Sequence, residues 1–168
     1  MSTDIYWIDG VPRGRLAILG RPRAGDWLSD QIAGWQAAGI TDVISLLQNP
    51  EVRDLGLERE REIAEQLGIS FEQFPIPDRG VPESVRTTLA LWARIETRIR
   101  SGGAVGIHCR ASIGRAGLVA AGALIRLGFS ETDAWQRASS ARGMPVRGAP
   151  QSNSRSIASK AQYSVSRP

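Results

Sequence analysis

Val105-Gly106-Ile107-His108-Cys109-Arg110-Ala111-Ser112-Ile113-Gly114-Arg115-Ala116-Gly117 carries the strand, loop and helix pattern that decides the architecture of this chain. Ala104 to Ile107 is short and apolar, as a buried strand is, and Gly114 to Leu127 is apolar enough for a buried helix. A loop between two such elements can curl so that successive backbone N–H groups point into one concavity. The N-terminus of the following helix adds its positive dipole end, and the result is an anion cradle. A cysteine at its base stands in a positive field that favours the thiolate, the nucleophilic form. Arg115, six positions after Cys109, can send its planar fork back across the loop to two oxygens of a bound phosphoryl group, a grip that lysine does not give. Gly114 is expected to allow the sharp turn, and the His108 imidazole to hydrogen-bond near the cysteine backbone rather than act as a general base.

Working outward, Tyr6-Trp7-Ile8 and Leu16-Ala17-Ile18-Leu19 flank the turn-forming Asp9-Gly10-Val11-Pro12, which predicts an N-terminal β-hairpin. Trp27, Leu28, Ile32 and Trp35 recur at helical spacing up to Ala38-Gly39. Asp42 to Leu47 reads as a buried strand, followed by a loop through Asn49-Pro50 and a charged helix from about Leu57 to Leu67. Ile69 to Phe74 reads as another strand, running into the proline-punctuated Pro75-Ile76-Pro77-Asp78-Arg79-Gly80-Val81-Pro82. Pro82 suits the first turn of a helix that reaches Arg100 with Leu89, Trp92, Ile95 and Ile99 on its inner face, and a last helix spans about Glu131 to Ala141. Strands and helices alternate, so the expected fold class is α/β: a central, mostly parallel sheet flanked by helices. Active sites of such sheets lie beyond the carboxyl ends of the strands.

The totals narrow the alternatives. A chain of 168 residues supports one domain with a real core. One cysteine cannot form an internal disulfide, and with one histidine it is too few for the usual zinc ligand sets, so neither a metal nor another cofactor is expected. No apolar run approaches the length of a membrane helix, and Met1 to Ile5 lacks the pattern of a secretory signal, so no membrane partner and a cytoplasmic location are expected. The formal charge of +4 comes almost wholly from scattered arginines, Lys160 being the sole lysine, which argues for anionic phosphoesters as partners and against nucleic acid. Residues 1–150 are expected to form the domain and the serine-rich residues 151–168 a disordered tail.

His108-Cys109 through Arg115 resembles the signature loop of the protein tyrosine and dual-specificity phosphatases, and Pro75-Ile76-Pro77-Asp78 with Pro82 resembles the general-acid loop of the small, single-domain dual-specificity type. The likeness extends over residues 5 to 150. It implies the dual-specificity phosphatase-like fold and a hydrolase acting on phosphotyrosine, phosphoserine or phosphothreonine of proteins through a cysteinyl-phosphate intermediate. Cys109 is then the nucleophile, Arg115 the phosphate grip and Asp78 the acid, with His108, Arg110, Ala111, Ser112, Ile113 and Gly114 forming a loop that holds a phosphate or oxyanion. Gln151 would orient a water molecule. Arg79 and Arg110 would add positive charge at the rim and favour anionic or multiply phosphorylated substrates, and Trp7 is the tryptophan expected near the pocket mouth.

Two positions depart from the family pattern. Ala116 stands where a serine or threonine usually helps the thiolate leave, and Ser112 stands where glycine is usual. These keep a phosphate-binding pseudophosphatase with slow or no turnover open as an alternative, beside a phosphoinositide or RNA phosphatase. A sulfurtransferase or arsenate reductase would not predict the Asp78 loop or the single cysteine.

Overall fold

The structure is a computed structural model and describes residues 4–146, so Gln151 and the tail over 151–168 lie outside the described residues. Strand β1 (Ile5–Ile8) pairs antiparallel with β2 (Arg15–Leu19), Ile5 opposite Leu19 and Ile8 opposite Leu16. β2 lies parallel to β5 (Ala104–His108), β5 to β3 (Asp42–Ser45), and β3 to β4 (Ser70–Gln73), giving the order β1-β2-β5-β3-β4. This is the expected mostly parallel sheet with an N-terminal hairpin at its edge.

Side chains alternate across the sheet and so feed two cores. Leu16 and Ile18 of β2 enter one, beneath α4 (Val85–Arg100), α5 (Arg115–Arg126) and α6 (Glu131–Arg142). Ala17 and Leu19 enter the other, beneath α1 (Trp27–Ala37) and α3 (Glu60–Gln66). Each fully buried leucine or isoleucine on these faces contributes about 1.5–3 kcal/mol. α5 is the central helix, buried from Arg115 to Ile125. A Cβ at Gly122 would fall 1.9 Å from the Trp92 ring, so glycine is what lets α4 pack this closely on α5.

The helices differ from the sequence expectation in two places. α4 begins at Val85 rather than at Pro82, because Ser84 Oγ accepts the Thr87 N–H at 3.3 Å and caps the helix there. Its fully buried face is Thr88, Leu91, Trp92, Ile95 and Ile99, with Leu89 only half-buried. A short helix, α2 (Asn49–Asp54), also forms where a loop was expected. Glu51 Oε2 accepts the Gln48 N–H at 3.0 Å, the reciprocal half of a capping box. No helix among the described residues is long and apolar enough to cross a membrane.

Parallel pairing continues past the strand ends and ties three loops into one edge. Leu46 N donates to His108 O at 2.9 Å, Phe74 N to Ser45 O at 2.8 Å and Ile76 N to Leu46 O at 3.1 Å. The segments after β3, β4 and β5 therefore meet at the carboxyl edge of the sheet.

Candidate active site

β5 ends at His108 and α5 begins at Arg115, so Cys109 starts the connecting loop and is itself only 2% exposed. The Ser112 N–H donates to Cys109 Sγ at 3.2 Å, and Ser112 Oγ accepts the Cys109 N–H at 3.5 Å. Turning a backbone donor back onto the sulfur requires a reversal, and Ser112 makes it with φ 53°. The left-handed region costs a non-glycine residue roughly 1–2 kcal/mol, which the contacts with Cys109 help offset. Gly114 has φ −78°, open to any residue, so the turn assigned to it from sequence is made at Ser112 instead.

Arg115 enters from the first turn of α5 and is almost fully buried. Nη1 donates to Glu51 Oε2 and Nη2 to Glu51 Oε1, both at 2.7 Å, and Nη1 also donates to Ile76 O at 2.9 Å. Burial alone would lower the pKa of Arg115, but the Glu51 hydrogen bond, then the charges of Cys109, Glu51 and Asp78, raise it. Burial likewise pushes the Glu51 carboxyl upward, and the hydrogen bonds from Arg115 and Gln48 outweigh it and hold that carboxyl below the ordinary glutamate range. Glu51 thus caps α2 and orients Arg115 with the same carboxylate. Nε of Arg115 has no partner among the described residues, and the outer side of Nη2 lies 3.2 Å from Asp78 Oδ1.

Asp78 sits in a tight turn closed by Gly80 N donating to Pro77 O at 2.9 Å. Its Oδ1 accepts the Arg79 N–H at 3.1 Å, and its side chain is 55% exposed. A Cβ at Gly80 would fall 2.9 Å from Pro77 Cβ, so the turn closes this tightly only with glycine there. Between the turn and the cysteine loop lies a pocket of about 430 Å³, lined by Asp78, Arg79 and Gly80 on one side and by Cys109, Arg110, Ala111, Gly114 and Arg115 on the other.

The remaining expected residues lie elsewhere. The His108 ring is fully buried on the α3 side of the sheet, where Nε2 is 2.8 Å from Glu60 Oε1 but out of line for a hydrogen bond. Among the described residues neither ring nitrogen has a hydrogen-bond partner, and the expected bond near the cysteine backbone is not made there. The reason is the pleat: β5 projects His108 to the face opposite Ile107. Ser112 and Ile113 do not line the pocket. Trp7 is away from it, stacked under Arg15 with the guanidinium 3.4 Å from the ring centre.

Glu51, Glu60 and Arg142 complete the support. Arg142, from the last turn of α6, donates from Nε to Ser112 O at 3.1 Å and stacks over Tyr6. The Gln48-x-x-Glu51 spacing with Pro50 is the capping-box signal that marks Glu51. Nothing distinguishes Glu60 within its charged helix.

A protein-family model described as the Swiss Army Knife protein, DSP-PTPase phosphatase domain, matches residues 6–166. No curated protein matches the chain. Solved structures do. A kinase associated phosphatase whose catalytic-site cysteine is replaced by serine superposes with a TM-score of 0.84 at 17% identity, over 100% of this chain and 98% of that one. Tk-PTP in its active form gives 0.74 at 26% identity, over 97% and 99%. TpbA of P. aeruginosa, solved in complex with phosphotyrosine, gives 0.57 at 17% identity, over 91% and 86%.

Proposed function

Because the chain belongs to the family of Swiss Army Knife DSP-PTPase phosphatase domains, we propose that it is a cysteine-dependent phosphatase in which Cys109, Arg115 and Asp78 carry the reaction. The observation that supports this best is the convergence of the three on one pocket, with the Ser112 N–H aimed at Cys109 Sγ.

The phosphoryl group enters over Cys109. Its oxygens take up the free Nε and the outer proton of Arg115 Nη2, while Glu51 holds the guanidinium from behind. Charge spreads over these oxygens in the transition state, so donors already fixed in place lower the barrier. Anion entry also competes with Asp78 for Nη2, which frees the carboxyl to turn toward the leaving oxygen. The Cys109 sulfur attacks phosphorus, the phosphorus–oxygen ester bond breaks, and Asp78, which takes a proton from solvent once it is freed from Arg115, gives that proton to the departing alkoxide or phenolate. Water then attacks the cysteinyl-phosphate, Asp78 takes the proton, and the phosphorus–sulfur bond breaks to return the thiolate. Ala116 is fully buried and offers no hydroxyl for that second step. Ser112 Oγ, held against the Cys109 backbone, is the hydroxyl that serves in its place. The reacting ester is that of a phosphorylated protein or another anionic phosphoester, and the working unit is residues 1–150.

Ala116 also favours a second reading, in which capture is efficient and phosphoenzyme breakdown slow. Turnover of p-nitrophenyl phosphate separates the two. A steady rate that Cys109→Ser abolishes is the expected outcome, and a single stoichiometric burst supports the second reading. Undiminished turnover by Cys109→Ser would overturn both.

A further inference from the structure

Three arginines, Arg79, Arg110 and Arg115, line the pocket against one lining carboxylate, Asp78. Both carboxylates nearby, Glu51 at 2.7 Å and Asp78 at 3.2 Å, face Arg115, so the positive charge without an ion-pair partner rests on Arg79 and Arg110. Both are exposed, and among the described residues neither has a carboxylate within ion-pair distance or a side-chain hydrogen bond. They line the pocket from opposite sides, one from the Asp78 turn and one from the cysteine loop.

Arg79 sits where a side chain is unfavourable. It is the third residue of the Pro77–Gly80 turn and has φ 56°, a conformation that such turns normally give to glycine or asparagine. Glycine occurs one position later instead. A side chain kept at the cost of left-handed backbone points to use of that side chain. Among the described residues the pocket walls contain no aromatic side chain and no large aliphatic one. A phenyl ring entering behind its phosphate would meet arginine heads rather than an apolar slot, whereas a polyol carrying a neighbouring phosphate would meet complementary charge.

The geometry points to a polyol ester bearing a second phosphate next to the one that is cleaved, such as a vicinal inositol bisphosphate, free or as a lipid headgroup. The first phosphate lies over Cys109 and Arg115, and the second is clamped between Arg79 and Arg110. This rests on the phosphatase assignment above and narrows it to a substrate class.

The test uses full-length Cys109→Ser protein and calorimetric titration, so it does not depend on turnover. A vicinal inositol bisphosphate should bind at least about tenfold more tightly than inositol monophosphate, as expected for one added charge-assisted contact pair. The preference should fall to near parity when Arg79→Ala and Arg110→Ala are added. The readout is the ratio, which a general loss of affinity leaves unchanged. Equal affinity for the two inositol phosphates, or tighter binding of a phosphotyrosine peptide than of the bisphosphate, would overturn the proposal. So would a preference that survives both arginine substitutions. Titrating the Cys109→Ser protein with phosphatidylinositol bisphosphate in phosphatidylcholine vesicles, beside the free headgroup, identifies the source of the ligand. Hydrolysis of p-nitrophenyl phosphate by wild type, run in parallel, reports on the phosphatase assignment separately.

Discussion

On one side of the pocket the cysteine loop is buried and bonded from several directions, while on the other the Pro77–Gly80 turn carries Asp78 and Arg79 out into solvent. Cys109 is held by Ser112, Ser112 by Arg142, and Arg115 by Glu51, with partners drawn from α2 and α6 as well as from the loop itself. Asp78 has one backbone contact within its own turn and one approach to Arg115. In the proposed reaction, phosphate capture would use groups that are already in place and so gain from rigidity. Protonation of the leaving group, in the same proposal, would need the Asp78 carboxyl to move once the anion has displaced it from Arg115. The two walls are therefore built to different stiffness, and each can be tested separately.

The largest expected effect comes from removing the support of the stiff wall. Glu51→Ala leaves a guanidinium buried without its carboxylate, and should cost about 3–5 kcal/mol in urea denaturation. A loss under about 1 kcal/mol would mean that the pair is not what holds the loop. The acid dependence has a fixed sign. The Glu51 carboxyl lies below its ordinary range in the folded state, so its contribution is present above the ordinary glutamate pKa and is lost as pH falls through the depressed value. Glu51→Gln should remove that acid limb from a plot of stability against pH.

Next is the flexible wall. Asp78→Ala should lower kcat for an alkyl phosphate by about a hundredfold or more, with little change in melting temperature, because the side chain is more than half exposed. A loss of stability comparable to that of Glu51→Ala would erase the distinction between the two walls. Arg142→Ala removes the hydrogen bonds to Ser112 O and Ala111 O and should weaken phosphate binding about tenfold or more, read by titration with inorganic phosphate.

Ser112→Gly should give the smallest change in stability, within about 1 kcal/mol of wild type, because relief of the left-handed backbone offsets the lost contact. Its signature lies in kinetics. If Ser112 Oγ assists the second step, the steady rate falls relative to the burst.

The stiff wall was also the more legible in the sequence. Cys109 and Arg115 stand between an apolar strand and an apolar helix, and local periodicity alone places them at the sheet edge. Asp78 was singled out only through the resemblance of its proline-flanked loop to a phosphatase general-acid loop, since the residues themselves signal no more than a turn. The supporting partners were not legible, because Glu51 and Glu60 lie far from the loop in sequence and look like ordinary charged residues until folding brings them beneath it. Glu51 had a usable signal in its capping-box spacing, while Glu60 had none. His108 was misplaced for a simpler reason: it is the last residue of a strand, so the pleat turns its ring to the sheet face opposite Ile107. The turn at Ser112 was hidden because glycine, present at position 114, is the residue one expects at a reversal.

The central claim is that Cys109 takes the phosphoryl group from the substrate. Acid-quenched reaction of wild type with p-nitrophenyl phosphate, followed by mass spectrometry of the Cys109 peptide, tests it directly. One phosphoryl group on Cys109 is expected within the first turnover, accumulating further in Asp78→Ala, where hydrolysis of the intermediate lacks its base. Sustained turnover with Cys109 unmodified at every quench time would contradict it.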